Sequence, residues 1–379
     1  MPIYLDNNAT TPLEPKVREI MLRYFDEEYG NAGSRTHEYG SRAKQAVQQA
    51  RNAVAAVVGA EASEVIFTSG ATEANNLALL GLADEGRRLG RTHIVTTAIE
   101  HKAVLEPVEA LVAQGFEATI VPVDSSGRVT PEAVAGALRP DTLFVSVMQA
   151  NNETGVMQPI AAIANDLGEG GVYFHVDAAQ GFGKALDELR HPRIDLISVS
   201  GHKLFAPKGV GALIARRRGY DRPPLKPLIW GGGQERGLRP GTLPVPLIAA
   251  FGMAAELALS EGDSRRRQCE AVRGRVFSAL SGLDFSVIGD EDHVLPHVLS
   301  IAFHGVDSEA LMLSLKDLVS LSNGSACTSS SYQPSHVLKG MGLSDDLIGA
   351  VVRLSWSHLT PEAPWEAVAD RISDLQKGA

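Results

Sequence analysis

The sequence predicts an α/β fold: a large, mainly parallel, seven-stranded sheet domain with helices on both faces, followed by a smaller α+β C-terminal domain. Three observations predict it. Seven short runs between residues 65 and 215 are apolar and β-branched throughout rather than alternating, the pattern of strands covered on both faces. Helix-like stretches separate most of them, as the crossovers of a parallel sheet require. After Gly241 the pattern changes to long helical segments and then to a few well-spaced strands.

In chain order the runs are Val65–Thr68, His93–Thr97, Ala118–Val123, Leu143–Val147, Val172–Val176, Leu196–Val199 and Val210–Ala215. The first leads through Ser69, Gly70 and Ala71 into a helical pattern over Thr72–Leu82. Beyond Gly241, Leu247–Ser260 and Ser264–Ser281 read as two long helices. A strand over Val298–Phe303, a helix over Ser308–Leu318, a strand over Val351–Leu354 and a helix over Pro361–Leu375 follow. The expected division is a large domain over residues 13–250 and a small domain built from residues 1–12 and 251–379.

The chain has 379 residues, 44% hydrophobic and 21% charged, as an ordinary globular enzyme has. A net charge of -10 argues against a direct nucleic-acid surface, because phosphate binding needs clustered Lys and Arg. The triplets Arg216–Arg218 and Arg265–Arg267 are too short to change that and read as solvated element ends. With only two cysteines, Cys269 and Cys327, no disulfide framework is indicated, and a cytoplasmic setting is expected. The N-terminus lacks a basic stretch followed by an apolar one. No uninterrupted apolar run approaches the ~18 residues of a membrane span, so no membrane association is expected.

The chemistry-bearing residues cluster at the ends of the predicted strands, where open α/β sheets bind ligands. Lys203 follows Asp195–Val199 in the segment Ser200-Gly201-His202-Lys203, and Asp177 ends the run from Val172. A lysine and an acid so placed suit pyridoxal phosphate: the amine forms a Schiff base, and the acid keeps a proton on the pyridine nitrogen. Ser69 to Thr72, with Ala71 at the start of a helix, offers free N–H groups to a phosphate, although a plain helix cap reads the same way. His101 would stack on a flat ring, and Asn151 and Asn152 offer amides, although such amides also make turns. Cys327 sits in the small-residue stretch Ser322–Ser331. Lysine, acid and thiol together point to a pyridoxal-phosphate enzyme with a participating cysteine. Cys269, on a helix, reads as a packing residue.

At these residues the chain resembles a fold-type I pyridoxal-phosphate enzyme, specifically the NifS/IscS-type cysteine desulfurases of the class V aminotransferase family. The resemblance rests on Tyr4–Pro12, Phe67–Asn76, Thr97–Lys102, Asn151–Gly155, His175–Gln180, Ser200–Gly209, Gly231–Gly237 and Ser325–Cys327, in order and at matching spacing. It implies that Lys203 carries the cofactor, Asp177 pairs with its ring nitrogen, Gln180 meets its phenolic oxygen and His101 stacks on the ring. Thr72, Ser200 and His202 would hold the phosphate beside Ala71, while Thr242 would reach the phosphate of a partner subunit, implying a homodimer with shared sites. Arg353 would pair with the carboxylate of L-cysteine, assisted by Asn152 and Asn7. Lys203 would move the α-proton, His101 would handle further protons, and Cys327 would take the sulfur as a persulfide, releasing L-alanine. An acceptor protein would then receive it for Fe–S assembly, tRNA thiolation or DNA phosphorothioation. In length and in the loop around Cys327 the chain resembles a DndA-type member, the kind that serves DNA phosphorothioation.

Two departures from the family pattern stand out. Pro240 replaces a usual serine, and Trp356-Ser357-His358 follows Arg353-Leu354-Ser355 where a small residue and an arginine are usual. The first bears on the loop offering Thr242, the second on the substrate entrance. The alternatives are a selenocysteine lyase, another enzyme of the same fold such as an aminotransferase, and a sulfur-relay scaffold without turnover.

Overall fold

The computed structural model describes residues 1–323 and 334–378. The first part of the chain forms β1 (Ile3–Tyr4), α1 (Pro15–Asp26), α2 (Glu38–Val57), β2 (Val65–Thr68), α3 (Ala71–Leu80), α4 (Ala83–Leu89), β3 (His93–Thr97) and α5 (Lys102–Val112). It continues with β4 (Glu117–Val121), α6 (Pro131–Gly136), β5 (Thr142–Met148), α7 (Ile160–Leu167), β6 (Tyr173–Asp177), β7 (Leu196–Ser200) and β8 (Gly211–Ala215). The remainder holds α8 (Val245–Leu280), β9 (Phe285–Val287), β10 (Val298–Phe303), α9 (Ser308–Leu315), β11 (Val319–Ser320), α10 (His336–Gly340), α11 (Asp345–Ala350), β12 (Val351–Ser355) and α12 (Trp365–Gly378).

The seven expected runs pair into one sheet of order β2-β8-β7-β6-β5-β3-β4. β7, β6, β5, β3 and β4 are mutually parallel. β8 runs antiparallel to both β7 and β2, so it alone points the other way. The interior strands β3, β5, β6, β7 and β8 are buried almost throughout, as their unbroken apolar pattern requires, whereas edge strand β4 leaves Glu117 and Ile120 exposed. Histidines inside the sheet are satisfied core residues. His175 lies between the Ser146 and Ser198 hydroxyls at 2.8 and 2.9 Å, and burial lowers its pKa to about 3.

The small sheet is antiparallel, β12-β10-β9, and β1 pairs with β11 beside it. Leu5, from the N-terminus, packs into the same apolar core as Ile301, Leu354 and Trp356. α8 contributes Phe251 to the core of the large sheet and Val276 to that of the small one.

The two helices expected over Leu247–Ser260 and Ser264–Ser281 are one, α8. Gly262 has open space around its Cα, and the Arg265 guanidinium donates to Glu261 one turn earlier at 2.9 Å, carrying the helix across the weak point. α8 is long and apolar enough to cross a membrane by length and composition, but 56% of that window is buried within the fold against α1 and α2. The helix expected from Pro361 starts at Trp365, because Pro364 biases the residue before it away from helix.

Gly211 opens β8 where it passes the turn before α3. A Cβ there would lie 2.5 Å from the Val199 carbonyl oxygen and 2.7 Å from Gly70 Cα. Gly211→Ala is therefore expected to destabilise the cofactor-free protein by about 1–3 kcal/mol, read from its denaturant midpoint; a midpoint equal to wild type would show that the turn yields freely.

Candidate active site

The carboxyl ends of β2, β3, β5, β6 and β7 open onto one cleft of about 510 Å³. Because these strands point the same way and lie close together in the sheet, the turns that follow them converge there.

β2 delivers the turn Ser69-Gly70, and α3 begins at Ala71 with no side-chain cap on its first turn. Glu73 holds this turn from outside: it accepts the Ser69 N–H at 2.7 Å and the Arg239 Nε–H at 2.9 Å. That ties the anion-binding end of α3 to the loop bearing Pro240 and Thr242. Pro240 is buried near Gly231.

β3 delivers Glu100 and His101. The His101 ring caps α5, with Nδ1 accepting the Ala103 N–H at 3.0 Å, which leaves the imidazole proton on Nε2. Burial, partly offset by Asp177, lowers its pKa, so it is held neutral. Glu100 is completely buried; its Oε1 accepts from the Thr97 hydroxyl and the Met148 N–H, both at 2.8 Å, while Oε2 has no partner among the described residues. Burial raises its pKa to about 8.

β6 delivers Asp177, whose carboxylate accepts from Asn75 Nδ2 at 2.7 Å and from the Ala179 N–H at 2.9 Å. Gln180 donates to the Asn8 carbonyl at 3.1 Å, and its own Oε1 is buried without a partner among the described residues. β7 delivers Ser200, His202 and Lys203. Burial, then the nearby Lys203, Lys208 and Lys184 cations, lower His202 to about 4. Lys203 Nζ donates to the carbonyl oxygens of Asn8 and Ala9, 2.8 Å to the latter.

From β12, Arg353 reaches the cleft almost fully buried. Its guanidinium donates to Asp6 at 2.5 Å, to the Asn152 carbonyl at 2.8 Å and to the Ser322 hydroxyl at 3.0 Å. Its Nε–H is buried without a partner among the described residues.

The cleft thus brings together Ala71, Thr72, His101, Asn152, Asp177, Gln180, Ser200, His202, Lys203 and Arg353, all anticipated from the sequence. Thr242 is exposed and lies outside it. Asn7 is buried beneath, its amide donating to the Ser355 carbonyl at 3.0 Å, and its neighbour Asn8 lines the cleft instead. Cys327 lies outside the described residues. Trp356, Ser357 and His358 do not line the cleft; they border a separate cavity of about 50 Å³ beside α8, contrary to the expectation that they shape the substrate entrance. Asn8, Ala9, Asn75 and Lys208 went unassigned. Asn75 carried a signal: it stands three residues after Thr72, hence on the same side of α3.

These groups fit pyridoxal phosphate. An amine, a hydrogen-bonded carboxylate, a neutral imidazole and an uncapped helix start surround one space, and the unpartnered Gln180 oxygen is a buried polar atom that a ligand would satisfy.

Residues 3–364 match the family described as aminotransferase class-V. The chain is 48% identical over 364 residues to a protein of Anaeromyxobacter dehalogenans named cysteine desulfurase IscS, an alignment covering 96% of this chain and 89% of that one. A crystal structure described as DndA from Streptomyces lividans superposes with a TM-score of 0.83 at 51% identity, covering 92% of this chain and 98% of that one. A structure described as SspA in complex with cysteine superposes with a TM-score of 0.83 at 36% identity, covering 95% and 100%.

Glu100 sets a pH test. Its folded pKa is raised, so the stability it gives is complete below about 4.5 and is lost as pH rises toward about 8. Glu100→Gln keeps an oxygen for Thr97 and Met148 but cannot ionise. Its melting temperature is expected to gain on wild type steadily from acid to mildly alkaline pH; a constant difference would contradict the assigned protonation.

Proposed function

Because the chain belongs to the class-V aminotransferase family and is a pyridoxal-phosphate-dependent cysteine desulfurase, we propose that it moves the sulfur of L-cysteine onto Cys327 as a persulfide, releases L-alanine, and serves an acceptor in DNA phosphorothioation. The observation that carries the catalytic reading is the convergence of Lys203, Asp177, His101 and Arg353 on one cleft. The likeness to DndA supports the choice of acceptor.

Bound pyridoxal phosphate supplies an electron sink for the pair released when the substrate's α C–H bond breaks. Asp177, fixed by Asn75 and Ala179, holds a proton on the ring nitrogen. The α3 turn, with Thr72, Ser200 and His202, binds the phosphate. Arg353, its guanidinium oriented by Asp6 and Asn152, grips the substrate carboxylate. Lys203 Nζ, when unbound, takes the α-proton. His101 carries a proton at Nε2 toward the departing side of the substrate. The Cys327 thiolate attacks the substrate sulfur: an S–S bond forms, the C–S bond breaks, the electron pair left on the β-carbon is protonated, and the proton held by Lys203 returns to the α-carbon, giving L-alanine.

In this reading the enzyme is a homodimer. Thr242 is exposed outside its own chain's cleft, and Trp230 on the same loop is 84% exposed, so a second copy would take both. The acceptor is a protein, since the net charge of -10 disfavours direct DNA contact. A cytoplasmic setting belongs to the same proposal, because a persulfide-forming thiol needs a reducing compartment.

The test is repeated release of L-alanine from L-cysteine by the cofactor-loaded protein. Cys327→Ser is expected to keep the yellow cofactor and lose turnover; continued turnover in that variant would refute sulfur transfer through Cys327. Arg353→Ala is expected to raise KM for L-cysteine about a hundredfold, matching ~3 kcal/mol for a charged hydrogen-bonded pair, with cofactor binding retained; an unchanged KM would move the carboxylate site elsewhere.

A further inference from the structure

Two residues beyond Lys203, the backbone does something costly. Phe205 has φ +61°, a left-handed conformation that a residue with a Cβ disfavours. Such a conformation persists only where its surroundings impose it, and around Phe205 they do. Its N–H donates to the Thr11 hydroxyl at 2.9 Å, and its carbonyl accepts the Glu14 N–H at 3.1 Å. Its ring meets the His358 imidazole edge-on, centroids 4.7 Å apart at 74°, and the Arg265 guanidinium lies 5.7 Å from its centre.

His358 and Arg265 are fastened together by one carboxylate. Glu14 Oε2 accepts from His358 Nε2 at 2.8 Å and from Arg265 at 3.0 Å. All three side chains are at most 13% exposed. The groups facing His358 are Glu14, just ahead of α1, and Arg265 and Glu261 on α8. The network therefore joins the start of α1, the middle of α8 and the segment after β12 around one aromatic ring. His358 is the position where the chain departs from its family's usual arginine, and the cleft itself makes no use of it.

We propose that His358 is a positioning residue for Lys203: with Glu14 and Arg265 it clamps the Phe205 ring, enforces the left-handed turn after Lys203, and so sets where the amine stands in the cleft. A ring that escaped the clamp would let Phe205 relax to negative φ and carry Lys203 away from the Asn8 and Ala9 carbonyls. The proposal rests on Lys203 being the amine that bears the cofactor.

The test uses the cofactor-loaded protein and reads the pH midpoint of its visible absorbance change, together with the rate at which the stripped protein recaptures pyridoxal phosphate. His358→Ala is expected to move the midpoint by about half a unit or more and to slow recapture about tenfold, the scale on which small misplacements act. His358→Gln, which keeps a donor for Glu14, is expected to fall between the alanine variant and wild type. A His358→Ala protein with a lower melting temperature but wild-type midpoint and recapture rate would overturn the proposal, leaving a structural role only. If that variant fails to fold, Phe205→Leu, which keeps apolar bulk without the ring, decides: a shifted midpoint supports the clamp and an unshifted one overturns it. Lys203→Ala separates the two layers. Loss of the absorbance band in that variant upholds Lys203 as the cofactor amine whatever His358 does, and a retained band sinks that assignment and this proposal with it.

Discussion

Residues 6–14, a turn over Asn7–Ala9 followed by irregular chain laid across the Lys203 turn, hold the active site in register. Thr11 donates its N–H and hydroxyl to the His202 carbonyl and accepts the Phe205 N–H, while Glu14 donates its N–H to the Phe205 carbonyl. Asn8 and Ala9 accept from Lys203, and Asn8 also accepts from Gln180. At its other end the same stretch meets the small sheet: Asp6 bridges Ser355 and binds Arg353, and the Asn8 N–H donates to the Ser355 hydroxyl. These groups are largely buried, where an unmade hydrogen bond is expensive, so the bonds act as a set. One strip of backbone thus fixes the distance between the amine on the large sheet and the arginine on the small one.

Around that strip, burial decides charge. His101 and His202 are lowered and kept neutral, and Glu100 is raised and kept protonated. Asp177 is held by Asn75 and Arg353 by Asp6. A neutral imidazole can both stack on a ring and pass a proton, whereas a cation in its place would repel Lys203. The buried carboxyl of Glu100 extends the logic: it hydrogen-bonds the end of β5 without placing a second anion beside Asp177.

The sheet and most of the cleft were legible in the sequence because each rests on a local signal. Unbroken apolar runs mark doubly covered strands, and a polar residue at the end of such a run is delivered to the cleft by geometry alone, as with Asp177, Lys203 and His101. What escaped depends on distant contacts. Asn8 against Asn7 is a matter of which way each residue of one turn faces, and that is settled by Ser355, far away in the chain. The continuity of α8 through Gly262 depends on Glu261 and Arg265 pairing across it. Trp356 and His358 follow Arg353 so closely that they read as entrance residues. The side chain of Trp356 turns into the small core, where its Nε1–H donates to the Cys269 carbonyl, and His358 turns toward Glu14.

The Arg353 guanidinium is set by the protein's own groups. Asp6, Asn152 and Ser322 already hold the guanidinium, so it loses little freedom when a ligand arrives. They leave the Nε–H buried and without a partner among the described residues. In the proposed reading a carboxylate ligand would meet the guanidinium with a charge-assisted bond, and a ligand without one would leave a buried donor unmade. Discrimination of this kind penalises the wrong ligand more than it rewards the right one, which is why missing polar groups are rejected more strongly than missing methylenes. Asp6 thus orients the Arg353 guanidinium through the same N-terminal stretch that meets the lysine.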